Sequence, residues 1–273
     1  MNRKHWRALV IAGAALLTTA CSPQRSVGVN ISGSTSVSPF VEHLGEMYRD
    51  EHAGAHIDVQ SLGSSAGIQA AIKGVADIGM SSRELKPEEA ETLDELVIAR
   101  DALAVIVHPQ NPVRNLTLAE VRAIFAGKIK RWSEVGGVDA PITLVAREAG
   151  SGTYSAFEEL VLGKDVRVTD GALRQGSNGA IRQVVAEDAN AIGYISLGIV
   201  DASVHAIAVD GVEATHDAVL AGRYTFVRRF LFVWPKGTTL DAEAQAFVDY
   251  VMSDGGQAEL ERLGLVKAKQ TQP

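Results

Sequence analysis

The sequence has one cysteine, Cys21, in 273 residues. That excludes a disulfide framework and any zinc site with two or more cysteine ligands. It has no excess of positive charge: 26 Lys+Arg stand against 33 Asp+Glu, a net charge of −7. General nucleic-acid binding through a basic surface is therefore excluded. Internal repeats, low-complexity tracts and long linkers are absent. With 46% hydrophobic and 22% charged residues, the balance is that of a globular chain and not of collagen, a coiled coil or a disordered segment. The length suggests about two domains. The seven histidines are scattered. His52 and His56 are four apart, but Gly54 interrupts them at what reads as a helix end, so they read as loop histidines and no metal site is expected.

What is present starts with an export pattern. Arg3, Lys4 and Arg7 give a basic start, and Ala8 to Leu17 form a ten-residue apolar run. Small residues Thr18, Thr19 and Ala20 then lead to Cys21. The run is too short to span a bilayer, and no other segment is long and apolar enough. Residues 1–20 read as a signal peptide. Cys21 at the cleavage point resembles a bacterial lipoprotein box, although Thr18 replaces the usual Leu. That implies a lipidated N-terminal tether over 21–26. Removing residues 1–20 takes away three positive charges, leaving 23 Lys+Arg against 33 Asp+Glu, or −10.

The rest alternates short apolar strands with amphipathic helices, which predicts α/β architecture. Strands are expected at Val27–Ser32, His56–Leu62, Asp77–Ser81, Ala102–His108, Ile142–Ala146, Ala191–Ser196 and Phe226–Val233. The first expected helix has Ser38 as N-cap and Pro39 in its first turn, with Phe40, Leu44, Met47 and Tyr48 on one face. The second turns Ile68, Ala71 and Ile72 inward and stops at Gly74. A charged helix is expected near Pro87–Leu96. Thr117-Leu118-Ala119-Glu120 is a capping box. Further helices follow Thr153 and Gly179, and lie near Ala242–Met252 and Gln257–Leu263. Two lobes without a linker imply that the chain crosses on strands, near 102–108 and again near 225–233.

One arrangement recurs three times, at 33–39, 63–65 and 147–153: a strand, a Gly/Ser/Thr turn, then a helix. Each turn places backbone N–H groups and hydroxyls at a helix N-terminus, which favours anions. Arg147 heads the third turn and offers a two-pronged contact. No carboxylate or histidine stands beside the serines as a base, which favours holding an oxyanion over turning one over. None of the turns matches G-x-x-x-x-G-K-[ST], and Glu148 breaks the G-x-S-x-G nucleophile elbow.

These turns carry a resemblance. GSTSVSP at 33–39, GSSAGI at 63–68, DIGMSSRELK at 77–86, REAGSGT at 147–153 and SNGAIRQVV at 177–185 together resemble the phosphate-binding proteins of bacterial phosphate ABC importers. The likeness covers roughly residues 27–265. It implies an α/β, two-lobed periplasmic-binding-protein type II fold with a ligand cleft between the lobes. Lobe 1 is expected to comprise 27–104 plus 228–273, and lobe 2 to comprise 105–227. It implies inorganic phosphate as ligand, a membrane permease as partner, no cofactor, no metal and a monomer. The implied site is Ser36, Val37 and Ser38 from the first turn, Ser64 from the second, Ser82 and Arg83, and Arg147, Ser151, Gly152 and Thr153 from the second lobe. Val37 offers only its N–H, so Ser36 or Ser38 supplies the hydroxyl.

One departure bears on selectivity. Some family members carry an aspartate where this chain has Ser82, and it accepts the proton that phosphate keeps and sulfate lacks. Here Ser82 is expected to accept that bond. Arg83 either adds charge on the same side or is a surface charge paired with Glu84. Asn178 either reaches the cleft or serves as a turn residue. Two other functions remain open: a receptor for another tetrahedral oxyanion such as sulfate, and an exported phosphatase using Ser151 or Ser64 as nucleophile. A signalling or adhesion role on the same fold is also compatible with the sequence.

Overall fold

The structure is a computed structural model and describes residues 28–268. The expected signal peptide, the lipidated Cys21 and the 21–26 tether lie outside those residues. The chain enters the first lobe through β1 (Val29–Gly33), α1 (Ser38–Glu51), β2 (Ile57–Ser61), α2 (Ser64–Ile72) and β3 (Ile78–Ser81). β1 pairs in parallel with both β2 and β3. Parallel neighbours need crossover connections, and α1 and α2 supply them. After the short α3 (Pro87–Ala90), the chain runs into the long strand β4 (Leu93–Val107) and so into the second lobe.

That lobe holds β5 (Asn115–Leu116), α4 (Leu118–Phe125), β6 (Thr143–Arg147), α5 (Gly152–Phe157), β7 (Leu173–Gln175), α6 (Asn178–Glu187), β8 (Ala191–Ser196), β9 (His205–Ala206), β10 (Ala208–Val209) and α7 (His216–Leu220). The chain returns on β11 (Val227–Pro235) and ends with α8 (Ala242–Met252), α9 (Asp254–Arg262) and β12 (Val266–Lys267). One sheet runs through both lobes in the order β2-β1-β3-β11-β4-β8-β6-β7. Its centre is the antiparallel pair β4–β11, registered from Val227 opposite Ala102 to Pro235 opposite Leu93, with an irregularity between Phe230 and Leu231.

Each lobe has its own core. Val29, Ile31, Phe40, Leu44, Phe230, Phe232 and Phe247 close the first. Phe125, Trp132, Phe157 and Tyr194 anchor the second, where Phe157 and Tyr194 stack with ring centres 3.8 Å apart. Burying each such side chain stabilises the fold by about 1.5–3 kcal/mol. The apolar run 102–107 is buried on both faces. Leu103, Val105 and Val107 join the aromatic core, while Ala102, Ala104 and Ile106 pack with Ile181 and Val185. That is why the run lacks polar alternation.

Three expectations are corrected. The charged helix near Pro87–Leu96 is one turn, Pro87–Ala90, and the chain is already strand at Leu93. Pairing with β11 overrides local helical propensity there, and Arg229 joins it by contacting Glu84 and Glu95. Ser38 is the first helical residue and not the N-cap; Val37 holds the cap position and makes no side-chain cap bond. Ile72 is exposed, because it ends α2 just before Gly74 (φ +64°) turns the chain away. The capping box at Thr117–Glu120 is present, with Glu120 N–H donating to Thr117 Oγ1.

Candidate functional site

In a sheet of this kind the loops after the carboxyl ends of parallel strands form the binding crevice. Here those loops come from both lobes. Ser34–Ser36 follow β1, Ser64 follows β2, Ser82 follows β3, Gly152 and Thr153 follow β6, and Asn178 follows β7. Arg147 is the last residue of β6 and Ser196 the last of β8.

The lobes meet through these groups. Ser36 Oγ lies 2.7 Å from Thr153 Oγ1. Arg147 Nη1 donates to Thr35 Oγ1 at 2.9 Å. Ser65 N–H donates to Gly150 O at 3.2 Å. On the first-lobe side, Ser34 Oγ donates to Ser82 Oγ at 2.8 Å, and Ser82 N–H donates to Ser64 Oγ at 3.1 Å. Gly152 abuts this serine group. A Cβ there would stand 2.2 Å from Ser64 Oγ and 2.6 Å from Ser82 Oγ, so only glycine allows the approach.

Arg147 is held rigidly for a buried cation. Its Nε and Nη2 donate to the two carboxylate oxygens of Glu148 at 3.0 and 2.8 Å, and also to the carbonyls of Gln175 and Gly176. Its N–H donates to Tyr194 Oη, which ties the site to the aromatic core. Burial pushes the Tyr194 hydroxyl well above its ordinary value, so it stays neutral.

A second cation was invisible to motif reasoning. Arg228 on β11 is buried, and its Nη1 donates to Thr153 Oγ1 at 2.9 Å while Nη2 donates to Ser36 Oγ at 3.1 Å. Its Nε and Nη2 also donate to Asp101 Oδ2 at 2.9 and 2.8 Å. Asp101 lies directly opposite on β4 and takes a further bond from Ser196 Oγ. Burial pushes the Asp101 carboxyl up and the Arg228 guanidinium down, and their mutual attraction opposes both shifts. Asn178 reaches the same point. Its Oδ1 accepts from Ser196 N–H, and its Nδ2 donates to Ser36 Oγ at 2.8 Å.

Ser36, Ser64, Ser82, Arg147, Gly152 and Thr153 are thus brought together. Four other expected residues are placed differently. Val37 packs its side chain in the first core, and its N–H donates to Ser34 O. Ser38 gives both its Oγ–H and its N–H to the same carbonyl. Ser151 caps α5 by accepting from Tyr154 N–H. Arg83 is not with the serines: its Nη1 and Nη2 donate to Glu89 at 2.7 and 2.9 Å, so its charge is spent inside the first lobe. Its bond to Glu84 is to the backbone carbonyl, while the Glu84 side chain pairs with Arg229.

The site is therefore a dense set of fixed donors. A desolvated anion needs this, because it must recover its lost hydration through hydrogen bonds and charged donors give the strongest ones.

Comparison with known proteins points the same way. A family model for the PBP superfamily domain matches residues 18–255. The phosphate-binding protein PstS of Borreliella burgdorferi is 31% identical over 252 residues, covering 88% of this chain and 90% of its own. That of Bacillus subtilis is 32% identical over 241 residues, covering 86% and 78%. Among solved structures, a candidate phosphate ABC transporter substrate-binding protein from Clostridium perfringens, with bound phosphate, superposes with a TM-score of 0.85 at 44% identity, over 89% of this chain and 100% of its own. An ABC-type phosphate transport receptor from Vibrio cholerae does so with 0.72 at 37%, over 87% and 99%.

Proposed function

Since this chain belongs to the PstS family of phosphate-binding proteins within the PBP superfamily, we propose that it captures inorganic phosphate between its lobes and delivers it to the permease of an ABC importer. The observation that carries the reading is the convergence of Ser36, Thr153, Asn178, Arg147 and Arg228 from both lobes and a crossing strand. An anion that touches donors on both sides binds the closed form better and so draws the lobes together. The lobes are 27–104 with 228–273, and 105–227. The protein works outside the cytoplasmic membrane as a monomer, tethered through lipid on Cys21. It holds its ligand without reacting with it. Ser64 Oγ is bonded to Ser82 and Ser151 Oγ caps a helix, so neither of these hydroxyls has a base for a partner.

Ser82 takes the role of proton acceptor. Its Oγ accepts from Ser34 Oγ and contacts Ser64 Oγ; with its own proton given to Ser64, one lone pair is left for a protonated ligand oxygen. Calorimetry on residues 22–273, unfolded and dialysed to strip any bound anion, tests both points at neutral pH. Phosphate is expected to bind tightly and sulfate to give no heat. Comparable binding of the two would make this a general oxyanion receptor, and no heat from either would overturn the reading. Ser82→Ala is expected to weaken phosphate binding by about tenfold. Full affinity with full rejection of sulfate would remove Ser82 from the acceptor role.

A further inference from the structure

We propose that the buried Arg228–Asp101 pair selects the protonation state in which phosphate is held, by filling the acceptor positions of the Ser36 and Thr153 hydroxyls. The inference rests on the phosphate-binding reading above and deepens it.

A hydroxyl oxygen has two lone pairs and one proton. Ser36 Oγ takes one bond from Asn178 Nδ2 and one from Arg228 Nη2, so both lone pairs are used. Its proton is then left to give, and Thr153 Oγ1 receives it. Thr153 Oγ1 also takes a bond from Arg228 Nη1, which fills its second lone pair. Only its own proton remains to offer. Neither oxygen can accept from a ligand O–H. Arg147, Asn178 Nδ2 and Arg228 are donors throughout, so this end of the site accommodates unprotonated oxygens alone.

The other end differs. Ser82 Oγ contacts the hydroxyls of Ser34 and Ser64, with no guanidinium filling their acceptors. One protonated oxygen fits there. The two ends together match the phosphate dianion, which carries one O–H and three bare oxygens. The monoanion carries a second O–H, which would face a donor. Binding the monoanion therefore releases its extra proton to solvent.

Asp101 is the positioning residue. It holds the Arg228 guanidinium through Nε and Nη2 and leaves its fork aimed at the two hydroxyls. Ser196 fixes Asp101 and Asn178 together, giving its Oγ–H to the first and its N–H to the second. The charged and titratable groups around Arg228 are Asp101 on β4, Arg147 on β6, itself paired with Glu148, and Tyr194 on β8.

Phosphorus NMR of stoichiometric inorganic phosphate on the purified protein reads the ligand's protonation directly. As pH is lowered, the bound resonance is expected to keep the dianion position at least about one pH unit below the midpoint of free phosphate. Arg228→Met with Asp101→Leu removes both charges together, so no lone buried charge remains. Its bound phosphate is expected to titrate close to free phosphate, with affinity above that midpoint reduced about tenfold or more. Arg228→Lys keeps a charge beside Asp101 and protects folding, yet an ammonium cannot fork to both hydroxyls. Its bound titration must also move toward that of free phosphate. A variant that folds and titrates as low as the parent overturns the proposal, as does a parent whose bound phosphate titrates like the free ion. A parent with no bound resonance overturns the phosphate reading itself, and this inference falls with it.

Discussion

Arg83 and Arg228 are both buried arginines near the serine turns, and their partners separate their roles. Arg83 gives its fork to Glu89, whose carboxyl it holds down against the upward push of burial. Arg228 is pinned by Asp101 but keeps donors for Ser36 and Thr153. Arg83→Met should therefore cost stability and spare binding. Removing one partner leaves a buried carboxylate unpaired, a loss of about 3 kcal/mol. Urea unfolding checks the first effect and calorimetry the second; a large loss of phosphate affinity with unchanged stability would return Arg83 to the site. Sequence reasoning reached Ser36, Ser64, Arg147 and Thr153 because they sit in Gly/Ser/Thr turns whose chemistry is local, and Ser82 only through the family resemblance. It missed Arg228 because one arginine in the run Phe226-Val227-Arg228-Arg229-Phe230 carries no local signal. Its partner Asp101 lies 127 positions away, and only strand pairing makes them neighbours. Asn178 was undecided for the same reason: Ser36 and Ser196, which fix its role, are distant in sequence.

Helix α9 packs on α1 through Leu260 and is also tied to it by one carboxylate. Glu259 accepts from Arg262 on its own helix and contacts His43 on α1. The Arg262 bond is the main cause that lowers the Glu259 carboxyl to about 2, with burial opposing it and His43 assisting. A carboxyl depressed in the folded state contributes stability that is complete above its unfolded value and is lost as pH falls toward the folded one. Part of the acid loss of stability should therefore fall between about pH 4 and 2. Glu259→Gln should flatten that part while leaving the profile near neutrality unchanged in shape, as urea unfolding at stepped pH would show. An unaltered acid slope would mean that the clamp carries no linkage. Elements with strong local signals, such as the Thr117 capping box and the apolar run 102–107, were legible in the sequence. The stretch 87–96 was not, since its acidic residues suit an exposed helix as well as a strand. The decision came from β11, far along the chain.

The two lobes have separate cores and are joined by one sheet, whose centre is β4 paired with β11, and by the hydrogen bonds between their serine and arginine turns. The crossing points near 102–108 and 225–233 were readable as apolar strands without linkers. The register that sets Asp101 against Arg228 was not readable, because single-residue slips are invisible in runs buried on both faces. This architecture predicts how ligand and stability are linked. Contacts from Ser36 and Ser82 in the first lobe and from Arg147 and Thr153 in the second can be made together only when the lobes meet. Phosphate should therefore stabilise both cores at once. Mass action sets the size: at a hundredfold excess over the dissociation constant the gain is about 2.7 kcal/mol, or about 5–10 °C in thermal midpoint for a chain of this length. The midpoint should rise with the logarithm of phosphate concentration, and a single cooperative transition should persist. Arg147→Ala should abolish the rise, because it removes the second lobe's charged donor. A rise in which one part of the molecule melts early and ignores phosphate would show that the anion sits on one lobe alone, and that closure is not what holds it.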